Sequence, residues 1–155
     1  MKEFTHLDER GQPSMVDIAE KQPTRRTATA RSIVALPPEV LEKFSGNDIQ
    51  SKKGSVFQTA IIAGIMAAKR TAELVPLCHT IPLDNCIIQL HLDEQQELVI
   101  DCTATTTAKT GVEMEALVGA SIAALTVYDM CKALSHEIVI RETKLVSKKG
   151  GKNDF

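Results

Sequence analysis

Asp129 and Lys132 are the only charged residues of an otherwise apolar run. From Ala116 to Leu134 the chain is small or hydrophobic almost throughout, with Leu117, Val118, Ile122, Leu125, Val127 and Met130 among its larger members. A separation of three residues puts both charges on one face of a helix, within reach of each other. A helix that is apolar nearly all round must be covered nearly all round. Charges under such cover cost free energy unless they are paired. A partly desolvated lysine beside a carboxylate suits acid–base work, because burial lowers its pKa while the carboxylate raises it. The bland alternative is an ion pair that only holds two subunits in register.

A second group of residues is basic. Lys52 and Lys53 stand just before a predicted helix N-terminus. The dipole there disfavours cations, while the free N–H groups suit an anion such as phosphate. A solvated loop explains the lysines as well as a bound anion does. Arg26 extends the row Ala28, Ala30, Ser32, Val34 and Leu36, one face of a strand. It either reaches solvent past the strand end or points into a cleft. Lys69, with Arg70, closes a later helix, where cations suit the dipole. His79 lies in Val75-Pro76-Leu77-Cys78-His79-Thr80-Ile81-Pro82, whose two prolines forbid a continuous helix and hold the histidine on a constrained loop. His6, His91 and His136 read as surface residues. Lys109-Thr110-Gly111 lacks the glycines that would make it a Walker phosphate loop.

The elements that must position these groups follow from pattern. Residues 1–23 read as irregular, with turn signals at Gly11-Gln12-Pro13. A strand spans Thr24 to Leu36, and a short helix starts at Pro37-Pro38-Glu39. A long helix runs from Ser55 to about Leu74, with Ser55 and Gln58 as a capping box. Its many small residues, Ala60, Ala63, Gly64, Ala67 and Ala68, predict close approach to a sheet or another helix. Cys86–Leu92 and Leu98–Thr105 alternate and form a hairpin. The helix bearing Asp129 and Lys132 runs from Val112 to Leu134, with Thr110 as N-cap and Glu113 completing a capping box. A last strand covers Glu137 to Val146. Residues 147–155 form a basic, glycine-rich tail, expected to be flexible, with a flap over phosphates as the alternative.

The order strand, helix, strand, strand, helix, strand is the ferredoxin-like βαββαβ arrangement. This α+β fold lays two long helices on one face of an antiparallel sheet. One domain of 155 residues is expected. The open sheet face and the over-apolar helices predict burial against other subunits. A net charge of −2 and 3% aromatics argue against nucleic acid. No signal peptide or membrane span is predicted, so the expected location is cytoplasmic. The four cysteines make no C-x-x-C pair and read as buried thiols, so no metal ligand is assigned.

Several stretches together resemble one family. They are Met15-Val16-Asp17, Ala67-Ala68-Lys69-Arg70-Thr71, Pro76-Leu77-Cys78-His79, Lys109-Thr110-Gly111-Val112-Glu113-Met114-Glu115-Ala116-Leu117 and Tyr128-Asp129-Met130-Cys131-Lys132-Ala133. The chain resembles the cyclic pyranopterin monophosphate synthases, accessory protein C of molybdenum cofactor biosynthesis. The resemblance runs from about Thr5 to the tail and weakens in the first dozen residues and between Ser45 and Ser51. It implies conversion of 3′,8-cyclo-7,8-dihydroguanosine 5′-triphosphate to cyclic pyranopterin monophosphate, with loss of pyrophosphate. It further implies a lyase that acts after a radical SAM GTP cyclase and needs no cofactor of its own. The implied assembly is a homohexamer, a trimer of dimers, with its site at a subunit interface.

Within that frame Asp129 and Lys132 take the proton transfers. Lys53, Lys69, Arg26 and His79 face the triphosphate. Leu77, Cys78, Met114 and Glu115 match substrate-contacting segments, and Glu115 is a candidate acceptor for the guanine edge. Glu113 is shared between a capping role and substrate contact. A non-enzymatic ferredoxin-like module that senses a phosphorylated ligand would need the basic groups but not the Asp129–Lys132 pair. A purely structural oligomer would need neither.

Overall fold

The computed structural model describes residues 4–155. In chain order the elements are β1 (Thr24–Ala35), α1 (Pro38–Leu41), β2 (Phe44–Ser45), β3 (Asp48–Ser51), β4 (Gly54–Ser55), α2 (Val56–Ala68), α3 (Thr71–Leu74), β5 (Asn85–Leu92), β6 (Leu98–Ala108), α4 (Glu113–Cys131) and β7 (Val139–Lys149). The main sheet has the order β5-β6-β1-β7, and every pairing in it is antiparallel. This is the expected ferredoxin-like α+β arrangement, with α2 and α4 as the two long helices.

Register explains the two faces of the sheet. Ala28, Ala30, Ser32 and Val34 of β1 lie opposite Ala104, Cys102, Ile100 and Leu98 of β6, and all eight are buried. Residues that alternate with them stand on the other face. There Thr27 meets Thr105 (3.3 Å), Thr29 meets Thr103 (2.8 Å), and Arg31 grips Asp101 through two bonds of 2.7 and 2.8 Å. Cross-strand pairs of this kind stabilise a face that water reaches.

The helices meet through small residues. Ala60 and Gly64 of α2 and Ala116, Gly119, Ala120 and Ala123 of α4 are buried. A methyl group on Gly64 would stand 2.8 Å from the Gly119 carbonyl, and one on Gly119 would stand 2.5 Å from Cys102 Sγ. The backbones therefore touch where side chains would hold them apart. By length and apolarity α4 could pass for a membrane span, yet Ala124, Val127 and Cys131 also turn into the core.

Four boundaries differ from expectation. First, α2 stops at Ala68, because the Thr71 hydroxyl donates to the Ala68 carbonyl (2.9 Å) and α3 starts a separate turn. Second, the cap of α4 is Val112, with no side-chain bond to the helix end, so neither Thr110 nor a capping box starts it. Glu113 instead accepts from Lys148 Nζ at 3.2 Å. Third, β7 runs on through Lys149, so the first three residues of the expected tail belong to the sheet. Lys148 also exchanges two backbone bonds with Phe155, at 2.8 and 3.0 Å, which folds the chain end back. Fourth, the small sheet β2-β3-β4 occupies residues expected to be loop. Ser55 does cap α2 as expected, accepting from Gln58 N at 3.0 Å. Asp48 adds to that cap by accepting from the Ser55 hydroxyl and from Phe57 N.

Candidate functional site

Two groups of side chains gather at opposite ends of α4. At its C-terminal end a cavity of about 510 Å³ is walled by Ile49, Val56, Met130 and Leu134 and fringed by Lys43, Lys52, Lys53, Asp129 and Lys132. Lys132 Nζ donates to Asp129 Oδ1 at 2.6 Å. The tight turn joining β3 to β4 delivers Lys52 and Lys53. Ser51 Oγ accepts from Lys53 N and donates to the Gly54 carbonyl, each at 3.0 Å, and Gly54 takes a φ of 105°. The fold thus brings Lys53 to the cavity that the pair lines.

The pair itself is not desolvated in one chain. The Lys132 and Asp129 side chains are 54% and 58% exposed. The hydrogen bond from Lys132, reinforced by its charge and more weakly by that of Lys53, holds the Asp129 carboxyl below its ordinary range. The same bond raises the Lys132 ammonium. In the single chain the lowering of the lysine by burial is outweighed by the Asp129 bond and charge. The physical reason is position: Lys132 is the C-cap residue of α4, where the helix leaves the core.

At the N-terminal end of α4, a cavity of about 140 Å³ is lined by Leu77, Cys78, His79, Met114 and Glu115 among others. These are the loop and helix residues singled out in the sequence. Glu115 is 4% exposed, and burial pushes its carboxyl up to about 7. Burial also raises the Cys78 thiol, and the nearby Glu115 charge adds to the effect. His79 Nε2 lies 2.8 Å from the Val16 carbonyl. A carbonyl only accepts, so Nε2 is the donor in this bond. The loop is pinned to β6 by Thr106 Oγ1, which donates to the Pro82 carbonyl at 2.6 Å.

Beside it a smaller cavity, about 80 Å³, is bounded by Arg26, Gly111, Glu113, Lys148, Lys149 and Lys152. Arg26 thus lines a cleft and does not simply reach solvent past the strand end. Its guanidinium donates to the Ala108 carbonyl at 3.2 Å. Gly150 takes a φ of 87°, and a side chain there would run into the Arg25 carbonyl. Lys69 lines none of these cavities; it caps the end of α2.

A family model described as the MoaC family matches residues 15–151. The chain belongs to the MoaC family. A "Cyclic pyranopterin monophosphate synthase" from Xanthomonas campestris pv. campestris (strain 8004) is 55% identical over 152 residues, covering 98% of this chain and 92% of that protein. Another of the same name, from Pelotomaculum thermopropionicum (strain DSM 13744 / JCM 10971 / SI), is 49% identical over 99% of this chain and 89% of its own length. A "Molybdenum cofactor biosynthesis bifunctional protein" from Synechocystis sp. (strain ATCC 27184 / PCC 6803 / Kazusa) is 52% identical over 97% of this chain and 45% of its own length.

In this MoaC-family chain the sequence reading missed some neighbours of the site. Lys148 was assigned to the tail, yet it pairs with Glu113. Its signal was the basic run at the chain end. His6 is exposed, as read, but lines the cavity that holds His79 and Glu115. Nothing in its sequence setting marked it, because the segment is bent back by a bridge between Leu7 and Pro13 and by turn bonds such as Ser14 N to the His6 carbonyl, which follow no strand or helix pattern. Among the described residues no three His, Cys, Asp or Glu side chains converge as metal ligands.

Proposed function

We propose that the protein is a cyclic pyranopterin monophosphate synthase of molybdenum cofactor biosynthesis. It converts 3′,8-cyclo-7,8-dihydroguanosine 5′-triphosphate to cyclic pyranopterin monophosphate and pyrophosphate. The observation that carries this reading is the meeting of Lys53 with the Asp129–Lys132 pair at one cavity. A phosphate-sensing module would need cations but no carboxylate bonded to one of them. The names of the similar proteins support the same activity.

The residues divide the work by chemistry. Lys132 stays protonated in the free chain, because Asp129 raises its pKa. It starts as a general acid and returns as a base after giving its proton to the purine ring being rebuilt. Asp129 orients it and holds its charge. Lys53 and Arg26 neutralise phosphate oxygens. Glu115, poised near 7 by burial, either accepts from the guanine edge or donates to it with little cost at neutral pH. His79, Cys78, Leu77 and Met114 wall the ring site, and Glu113 fixes Lys148 beside it.

The assembly proposed is a homohexamer, a trimer of dimers, with each site shared between two subunits. Support comes from the spread of the candidate residues over both ends of α4 and from exposed apolar residues, such as Leu125 on the helix and Leu134 just beyond its end. A second subunit laid over Asp129 and Lys132 would supply the desolvation that one chain lacks. The setting proposed is cytoplasmic, downstream of a radical SAM GTP cyclase. The direct test is to give the purified protein the cyclic intermediate and follow pyrophosphate release and pterin formation together. Turnover establishes the enzyme, whereas binding without turnover favours the sensing module.

A further inference from the structure

The large cavity holds more positive charge than proton transfer needs. Four lysines fringe it, Lys43, Lys52, Lys53 and Lys132, against the single carboxylate of Asp129. That carboxylate is already bonded to Lys132. Among the described residues, no ion pair engages Lys43, Lys52 or Lys53. Three ammonium groups without an ion-pair partner therefore line one cavity. Like charges held together repel, and a cleft lined by one sign concentrates the opposite ion.

The two outer lysines reach the cavity from different elements. Lys43 leaves α1 just before β2, while Lys52 sits on the hydrogen-bonded turn between β3 and β4. Neither is needed for that turn's own bonds, which use backbone groups and Ser51. The smaller basic cavity is different. Its Lys148 is bonded to Glu113, its Arg26 gives Nε–H to the Ala108 carbonyl and keeps further donors for a single phosphate group, and its volume of about 80 Å³ leaves little room for two linked phosphates.

We infer that Lys43 and Lys52 form a diphosphate subsite, which holds the β- and γ-phosphates of the substrate and then the pyrophosphate that departs. The inference rests on the reaction proposed above. In that reaction a substrate hydroxyl oxygen forms a bond to the α-phosphorus and gives up its proton to a base. The bond from the α-phosphorus to the bridging oxygen breaks, and its electron pair leaves on pyrophosphate. Charge thus builds on the β-phosphate as the bond opens, and two ammonium groups at the rim of the same cavity lower its cost. Lys53 stays with the reacting end, next to Asp129.

Inorganic pyrophosphate is the probe, used on the full-length protein in its native assembly. Its inhibition of turnover and its binding by calorimetry are measured for wild type, Lys43→Gln, Lys52→Gln and the double variant. Lys144→Gln, on β7 and paired with Glu142, serves as a charge-matched control. The double variant is expected to weaken pyrophosphate inhibition about tenfold or more, with each single variant in between. KM for the triphosphate substrate should rise in step, and raised salt should shrink the difference between wild type and double variant. Each lysine is exposed, so the variants are expected to fold; a circular dichroism melt checks that. Wild-type pyrophosphate inhibition in a folded, active double variant overturns the inference and leaves the proposed reaction standing. Loss of pyrophosphate affinity in the Lys144→Gln control to the same degree also overturns it, because general surface charge would then be the cause. Failure of the reaction reading itself would look different: wild-type protein would bind the intermediate without releasing pyrophosphate.

Discussion

Glu115 and Asp129 stand on the same helix, fourteen residues apart, which is about 21 Å at the rise of an α-helix. No small substrate spans that distance inside one chain. The carboxyl proposed to read the ring and the pair proposed to move protons therefore serve a single molecule only if two chains contribute.

Lys132→Arg separates catalysis from scaffolding. Arginine keeps the charge and can still pair with Asp129, but it gives up no proton near neutral pH. Steady-state turnover is expected to fall by about two to four orders of magnitude, with the oligomer still assembled. Near wild-type turnover would make the pair a structural link.

Glu115→Gln tests the buried carboxyl through pH. Its folded pKa, about 7, lies above the ordinary value of 4.5. The folded state therefore holds a proton that the unfolded state has lost between those values. The contribution to stability is full below about 4.5 and disappears as pH rises through about 7. Thermal melts should show wild type losing stability between pH 5.5 and 8. Glu115→Gln should lack that component and gain on wild type at pH 8. Parallel melting curves for the two proteins across this range would refute the assignment.

Gly64→Ala probes the helix contact. Alanine favours helix by up to about 1 kcal/mol, but its methyl group would press on the Gly119 carbonyl. Overpacking of this kind costs roughly 1–3 kcal/mol. A drop of several degrees in the melting temperature is expected, and a rise would mean that the helices part easily.

Arg26→Ala and Lys53→Ala should each weaken calorimetric binding of the triphosphate substrate while leaving the fold intact. They stand on different elements and line different cavities of one chain, so their effects should add when combined. Unchanged affinity in both would return these residues to a solvated surface.

The fold was legible because its signals were local and repeated. The alternation Ala28, Ala30, Ser32, Val34 set the core face of β1, and the small residues around Gly64 announced a close helix contact. The ends of elements were less legible. Thr110 and Glu113 matched a capping box, but Lys148, 35 residues away in sequence, claims the Glu113 carboxylate. The candidate site was legible as a set of residues and not as a place. Helical spacing paired Asp129 with Lys132, yet spacing carries no information on what lies above a helix end. The pair's exposure therefore differs from the expectation that an apolar run creates.

The central claim is a site built from two subunits, and mixing inactive variants tests it most directly. Glu115→Gln damages one end of α4 and Lys132→Ala the other. Each variant alone should be nearly inactive. Co-expressed with different tags and purified as mixed oligomers, they should regain activity, because about a quarter of the shared sites then combine two intact halves. Mixed oligomers that stay at the level of the parents would contradict a shared site.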